Sequence, residues 1–90
     1  MVMKVAYEVA FYRDIKRVRS KKVRRQVQRV IDEVKNASTM NEIAGLGKLH
    51  GYRTFYRVRV GDYRIGVEIV DDTVIFVRFL HRRDIYRYFP

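Results

Sequence analysis

The sequence predicts a single α+β domain, residues 1–90, in which an antiparallel sheet carries a hairpin of two helices on one face. Three observations predict it. After a short opening segment, the apolar residues of the first half recur at helical spacing. Those of the second half alternate with polar residues, as in strands. The pairs Gly61-Asp62 and Asp71-Asp72 suit tight turns that divide this alternating half. The expected element order is βααβββ(α).

The first half is predicted to hold a strand and two helices. Residues 3–7, "MKVAY", are typical of a short strand, and helical spacing begins near Val9 with Phe11, Ile15 and Val18. Ser20 can cap a second helix, whose apolar stripe consists of Val23, Val27, Val30, Ile31 and Val34. Thr39 and Glu42 have capping-box spacing, which predicts a single helical turn before Gly45 and Gly47.

The second half is predicted to form three strands and a tail. Alternation runs from Phe55 to the Gly61-Asp62 turn, and then on to the turn at Asp71-Asp72. Residues 73–81 form the last strand, and residues 82–89, "RRDIYRYF", form a short helix or tail.

The amino-acid composition excludes some classes of function and favours others. The chain has no cysteine, so it forms neither disulfides nor thiolate metal sites. We find no signal-peptide pattern and no uncharged run long enough to span a bilayer, so we expect a cytoplasmic protein. Twenty Lys and Arg against 10 Asp and Glu leave a net charge of +10, and most of the basic residues are arginine. Such a field attracts nucleic acid or an acidic protein, although a solvated charged surface is the simpler alternative.

The hairpin "FYRVRVGDYRIGVEI", residues 55–69, carries the most informative charges. A two-residue turn at Gly61-Asp62 pairs Arg59 with Arg64 and places Arg57 on the same face. Like charges directly across a strand pair repel, so this face is expected to hold an anion. The alternative is that some of these arginines form salt bridges with Glu68 or Asp62.

The same rule applied to Asp71-Asp72 pairs Arg64 with Phe79 and places His81 on the basic face. The expected patch then combines Arg57, Arg59, Arg64 and His81 with the rings of Phe55 and Phe79. Arginines and aromatic rings are typical of single-stranded RNA binding, although the tail could instead cover Phe79. Gly66, opposite Arg57, would leave room for a close ligand.

The segment "HRRDIY", residues 81–86, adds groups that could transfer protons. Histidine is the usual side chain for proton transfer near neutral pH, and tyrosine can donate or accept a proton in a desolvated site, so His81 and Tyr86 are the candidates. His50 is assigned to a loop or rim instead. The segment "GLGKLHG" around it lacks the spacing of a phosphate-binding P-loop.

The run of residues 48–86 resembles the RelE/ParE superfamily of type II toxins. It carries the "K-L-x-G" loop, the "Y-R-x-R-x-G-D-Y-R" hairpin and the closing "H-R-x-x-x-Y" of that superfamily. The resemblance to the RelE branch implies a RelE-like fold and ribosome-dependent cleavage of mRNA, with no cofactor or metal. It also implies a cognate antitoxin as a partner, acidic and disordered until bound. A ParE-like inhibitor of DNA gyrase and a non-catalytic nucleic-acid-binding relative are the alternatives.

The resemblance also implies residue roles. The residues that match catalytic positions, or could transfer protons there, are Arg57, Arg59, Arg64, His81, Arg82 and Tyr86. Arg83 is the alternative to Arg82. The residues expected to contact RNA are Lys48, Arg53, Phe55, Phe79 and Arg83. The outer faces of the helices carry further basic residues, for which ribosomal RNA, an acidic antitoxin and plain solvation are the three interpretations. They are Arg13, Lys16, Arg17, Arg19, Lys21, Lys22, Arg24, Arg25 and Arg29.

Overall fold

A computed structural model describes residues 2–90. In this part of the chain, the strands are β1 (Lys4–Tyr7), β2 (Leu46–Lys48), β3 (Phe55–Val60), β4 (Tyr63–Val70) and β5 (Thr73–His81). The helices are α1 (Val9–Lys16), α2 (Lys21–Asn36) and α3 (Ile85–Tyr88), with a turn of 3₁₀ helix at Met40–Glu42. The strands form one sheet in the order β1-β5-β4-β3-β2. The predicted α+β class and the order of its main elements are confirmed.

The sheet differs from the prediction at its two edges. β1 lies parallel to β5, not antiparallel, because the helical crossover returns the chain to the sheet. β2 was not predicted: it pairs antiparallel with β3, and its three residues are too few to reveal an alternating pattern. No helix within residues 2–90 combines the length and the apolar composition needed to cross a membrane.

The two predicted helix caps are present. The Ser20 side-chain oxygen accepts a hydrogen bond from the Val23 amide, 3.2 Å away, at the start of α2. The Glu42 carboxylate accepts from the amides of Ser38 and Thr39, at 2.7 and 2.8 Å, and so holds the turn before β2. These bonds lower the pKa of Glu42, with the Thr39 amide as the largest cause.

The main core lies between the two long helices and the sheet. The stripe of α2 supplies buried Val27, Ile31 and Val34, with Val23 and Val30 at its margins. The sheet supplies, among others, Val58, Val60, Ile65, Val67, Val74 and Phe76. Each fully buried side chain of this size contributes roughly 1.5–3 kcal/mol, so the core fixes which face of each strand looks toward the helices. We call this the helix face and the opposite side the outer face.

Asp14 completes the edge of β5 beyond the end of β1, whose last residue, Tyr7, lies opposite Phe76. Further along β5, the Phe79 amide donates to Asp14 Oδ2 at 2.9 Å. Arg78 donates to the same carboxylate through Nε at 2.7 Å and Nη2 at 3.2 Å. One buried carboxylate therefore joins α1 to the sheet and satisfies a strand edge.

A β-bulge changes the predicted register of β5. The turn at Asp71-Asp72 forms as expected, with Val70 opposite Thr73, but the pairing shifts between Gly66 and Val67. Val77 is the extra residue, so Arg64 lies opposite Leu80 and not opposite Phe79. A shift of one residue moves side chains to the other face of a strand.

Candidate nucleic-acid interface

The arginine hairpin has the register that the sequence predicts. Arg59 lies opposite Arg64, and Arg57 lies opposite Gly66. Because Val58 and Ile65, which alternate with these arginines, are buried in the main core, the arginines lie on the outer face.

Arg64 lies among other positive charges. Its Nη1 donates to the carbonyl oxygens of Gly61 and Tyr63, each at 2.8 Å, which fixes the guanidinium against the turn. Burial lowers the pKa of Arg64, and the charges of Arg59 and Arg57 lower it further. A guanidinium stays protonated in proteins, so this repulsion favours an anion at the site.

Arg57 connects the hairpin to the C-terminal helix. Its Nε donates to the Tyr86 hydroxyl oxygen at 2.8 Å. The guanidinium lies across Gly47 of β2, where an added Cβ would come within 2.6 Å of Arg57 Nη1. Tyr86 is 64% exposed, so its hydroxyl hydrogen and one side of its ring remain open to a ligand.

Arg82, and not Arg83, joins these residues. The Arg82 charge contributes to the lowered pKa of Arg64. Its Nε lies 4.0 Å from Asp62 Oδ1, and both side chains are well exposed, so this ion pair is weak. Arg83 instead donates to His81 Nδ1 through its amide at 3.1 Å and its Nε at 3.3 Å. We call Arg57, Arg59, Arg64 and Arg82 the arginine cluster.

The predicted positions of His81 and Phe79 are wrong. Because of the bulge, both lie on the helix face. Phe79 is 3% exposed and stacks on Tyr63, with ring centroids 4.9 Å apart. His81 lies opposite Tyr63 and meets that ring at its edge, at 5.5 Å. Of the two candidates for proton transfer, Tyr86 alone lies beside the arginine cluster.

The other predicted RNA contacts are divided between surfaces. Lys48 is exposed but pairs with Tyr56, whose side chain packs on the main core, so Lys48 lies on the helix face. Arg53 is exposed in the loop before β3. Phe55 lies on the outer face but is only partly exposed, because its ring meets Tyr52 and Phe89 edge-to-face at 5.7 and 5.5 Å.

The room predicted above Gly66 is filled by the chain itself. A Cβ added at Gly66 would come within 2.7 Å of the Phe89 ring. Phe89 belongs to a second apolar cluster, with Leu49 and Ile85, that lies against Phe55, Val77 and Leu80. This cluster was not predicted, and its signal in the sequence is the i, i+4 spacing of Ile85 and Phe89 in the tail.

The arginine cluster has few acidic partners. Within residues 2–90, the ion pairs are Lys4–Asp72, Arg78–Asp14 and Arg82–Asp62, and none includes Arg57, Arg59 or Arg64. The alternative of salt bridges from these three arginines to Glu68 or Asp62 is wrong. The Glu68 carboxylate accepts from the Thr54 hydroxyl at 3.0 Å, and Asp62 lies beside Arg82. In the same part of the chain, no His, Asp and Glu side chains are grouped to hold a metal ion.

The predicted basic residues on the helices are all exposed. Arg24 is used within the fold: its Nε donates to the Val18 carbonyl oxygen at 2.7 Å and so holds the connection between α1 and α2. The remaining charges lie on α1, α2 and their connection, and Arg29 lines a pocket together with Arg59 of the arginine cluster. The basic surface of the helices thus meets the arginine cluster near the end of β3.

The geometry of the outer face suits a phosphate. Planar guanidinium groups donate parallel hydrogen bonds to phosphate oxygens, and no ion pair within residues 2–90 neutralises Arg57, Arg59 or Arg64. The Tyr86 oxygen accepts from Arg57, which leaves its hydrogen free for a further acceptor.

Comparisons with known proteins identify the class to which this fold and site belong. The family model described as the ParE toxin of type II toxin-antitoxin system, parDE, matches residues 5–86. Toxin RelE3 of Methanocaldococcus jannaschii is 43% identical over 89 residues, which cover 98% of this chain and 100% of that protein. The chain therefore belongs to the RelE/ParE family of type II toxins.

Solved structures of RelE proteins have the same fold as this chain. A chain in the RelB-RelE antitoxin-toxin complex from Methanococcus jannaschii has a TM-score of 0.79 and 40% identity, over 94% of this chain and 99% of that one. A chain in the archaeal RelE-RelB complex from Pyrococcus horikoshii OT3 has the same fold, with a TM-score of 0.73 and 21% identity over 91% and 97% of the two chains. The resemblance seen in the sequence, including the RelE-like fold, is confirmed.

Proposed function

We propose that this toxin is a ribosome-dependent mRNA endonuclease and that the arginine cluster binds the phosphate at which RNA is cut. One observation carries the proposal: Arg57, Arg59 and Arg64 converge on the outer face, without a carboxylate partner in residues 2–90, next to the exposed Tyr86. The sequence similarity to a RelE toxin supports it.

The reaction would use the hydroxyl group of the RNA itself. The 2′-oxygen attacks the adjacent phosphorus, the bond from phosphorus to the 5′-oxygen breaks, and the products are a 2′,3′-cyclic phosphate and a 5′-hydroxyl. A proton leaves the 2′-hydroxyl and another reaches the departing 5′-oxygen. The arginine cluster would stabilise the negative charge that develops on the phosphorane oxygens, and hydrogen bonds already hold the guanidinium groups of Arg57 and Arg64 in place.

Tyr86 is the residue proposed to act nearest the proton transfers. An arginine is a poor base because it keeps its proton, and His81 is held on the helix face. The Tyr86 hydroxyl would donate to the departing oxygen or orient the substrate base against its ring. Much of the rate would come from the ribosome, which would hold the mRNA in a reactive geometry. Arg53 and Arg83, both exposed, are proposed to contact the RNA backbone nearby.

We also propose that a cognate antitoxin neutralises the protein. The matching solved structures include complexes of RelE with RelB. An acidic segment would complement the net charge of +10 and would fold as it bound.

Primer extension on mRNA from a translating extract tests the nuclease proposal. Wild-type protein should produce cuts within codons in the ribosomal A site, and only when ribosomes are present. Arg64→Ala should lose the cuts. Lys4→Ala is the control, because it removes a positive charge from β1 at the opposite edge of the sheet.

Intact mRNA in the presence of folded wild-type protein would contradict the nuclease proposal. The family model that matches this chain is named for ParE toxins, so a DNA supercoiling assay with gyrase is the appropriate second test. Inhibition of supercoiling without RNA cleavage would assign the protein to that other activity.

A further inference from the structure

The C-terminal tail is attached to the outer face at two points. Ile85 is 0% exposed and Phe89 is 2% exposed, whereas Tyr86 and Tyr88 between them are largely exposed. The Phe89 amide donates to the Ile85 carbonyl oxygen at 2.9 Å, which closes one helical turn. A helix as short as α3 does not hold its shape alone in water, so its position depends on these two side chains.

Gly66 provides the surface on which Phe89 rests. A Cβ at Gly66 would lie 2.7 Å from Phe89 Cδ2 and Cγ, and 2.8 Å from Cδ1, so the ring covers the place where a side chain would be. The backbone of Gly66 does not have the positive φ that favours glycine. Close contact with the ring, and not chain flexibility, is therefore what this position requires.

The contact between Gly66 and Phe89 lies beside Arg57 and Tyr86, which belong to the proposed phosphate site. Gly66 is directly opposite Arg57 in the sheet. Arg57 donates to the Tyr86 hydroxyl, and Tyr86 lies one residue after Ile85. The backbone of β4 thus supports the tail next to the position at which Tyr86 contacts Arg57.

We propose that Gly66 and Phe89 are positioning residues, which together form a socket that holds the Tyr86 hydroxyl on Arg57. The catalytic meaning of this proposal rests on the proposed nuclease function. The geometric part does not, because the hydrogen bond between Arg57 and Tyr86 can be observed in the isolated protein.

The test combines nuclear magnetic resonance with cleavage kinetics. The Arg57 Nε–Hε resonance is first identified by its change in Tyr86→Phe, which removes the acceptor oxygen. In Gly66→Ala the added methyl group displaces the Phe89 ring, and the resonance should move to its position in Tyr86→Phe. Amide resonances of α2 should stay in place, since a Cβ at Gly66 meets Phe89 on the outer face and α2 packs on the other face of the sheet.

Gly66→Ala should cleave mRNA more slowly than wild type and bind the ribosome equally well. The single-turnover rate constant on programmed ribosomes should fall about 100-fold, the scale of a 1 Å misplacement at a reacting centre. The ribosome concentration for half-maximal rate should stay the same, because the arginines that bind remain. A structural defect would instead lower the fraction of active protein and leave the rate constant of the folded remainder unchanged.

Phe89→Ala is the second variant, and it empties the socket without changing β4. It should shift the Arg57 resonance in the same way. The double variant Gly66→Ala, Phe89→Ala should be no slower than the slower single variant, because both act through one contact. Tyr88→Ala is the matched control: it removes an exposed ring from the same turn and should retain the wild-type resonance and rate.

A wild-type Arg57 resonance in folded Gly66→Ala and folded Phe89→Ala would overturn the proposal. If the wild-type protein cuts no mRNA, the nuclease function fails, and the resonance alone then decides whether the socket holds Tyr86.

Discussion

Arg64 and Arg78 lie on neighbouring strands, and both are partly buried, yet their surroundings are opposite. The hydrogen bond to Asp14 raises the pKa of Arg78. Burial and the charges of Arg59 and Arg57 lower the pKa of Arg64. The first arginine is neutralised inside the fold and holds it together. The second keeps an unbalanced charge on the outer face, where an external anion can bind.

Removing Asp14 should produce the largest loss of stability. Asp14→Ala leaves Arg78 without its partner and the Phe79 amide without an acceptor. Breaking a buried ion pair from one side costs about 3–5 kcal/mol, so urea denaturation should show a free energy of unfolding reduced by that order. Asp72→Ala breaks the exposed pair with Lys4 and is the control, with an expected loss of at most about 1 kcal/mol. Equal losses in the two variants would contradict the comparison.

Arg64→Ala should act on catalysis and spare the fold. Loss of one fixed donor to a developing oxyanion lowers the rate about 10²–10³-fold, or about 2.7–4 kcal/mol in the barrier. The free energy of unfolding should change by about 1 kcal/mol or less, because two hydrogen bonds to carbonyl groups are lost and like-charge repulsion is relieved. Single-turnover cleavage and urea denaturation measure the two quantities. A loss of rate that merely follows a loss of folded protein would refute this division.

The salt dependence of RNA binding should show how many charges of the arginine cluster contact phosphate groups. For single strands, each phosphate contact contributes about 0.7 to the slope of log K against log salt concentration. Arg59→Ala should reduce the slope by about that amount in fluorescence anisotropy titrations with a labelled RNA. Lys4→Ala should leave it unchanged, since Lys4 is on the far edge of the sheet and pairs with Asp72. Equal reductions would mean that binding depends on overall charge alone.

Replacing Glu42 should have the smallest effect on stability. This carboxylate pairs with backbone amides and not with a charged side chain. Its partners are backbone amides, which lower its pKa in the folded chain below the unfolded value. Its contribution is therefore present above the unfolded pKa and is lost as the pH falls through the folded one. Stability measured from neutral to acid pH should fall more for wild type than for Glu42→Gln. Parallel curves would contradict the role of the cap.

Local chemistry made much of this molecule predictable. Gly61-Asp62 allows a two-residue turn, and that turn fixed which arginines face each other. Ser20 and Glu42 fixed helical turns through short-range bonds. These features depend on residues close in sequence, so they could be predicted without the fold.

The predictions were wrong where contacts between residues far apart in the sequence determine the structure. Nothing in the alternation of residues 73–81 marks Val77 as an extra residue, yet its bulge moved Phe79 and His81 to the helix face. Gly66 was predicted to make room for a ligand, but the tail fills that space with Phe89. Both outcomes depend on packing between segments far apart in the chain.

The most direct test of the contrast between Arg64 and Arg78 is to titrate the protein with RNA and follow the Nε–Hε resonances of both arginines. The probe is a short single-stranded RNA with a 2′-O-methyl group at each position, so that no 2′-hydroxyl is free to attack and it cannot be cut. The Arg64 resonance should shift on binding, while the Arg78 resonance, held by Asp14, should stay in place. A shift at Arg78 with none at Arg64 would contradict that contrast.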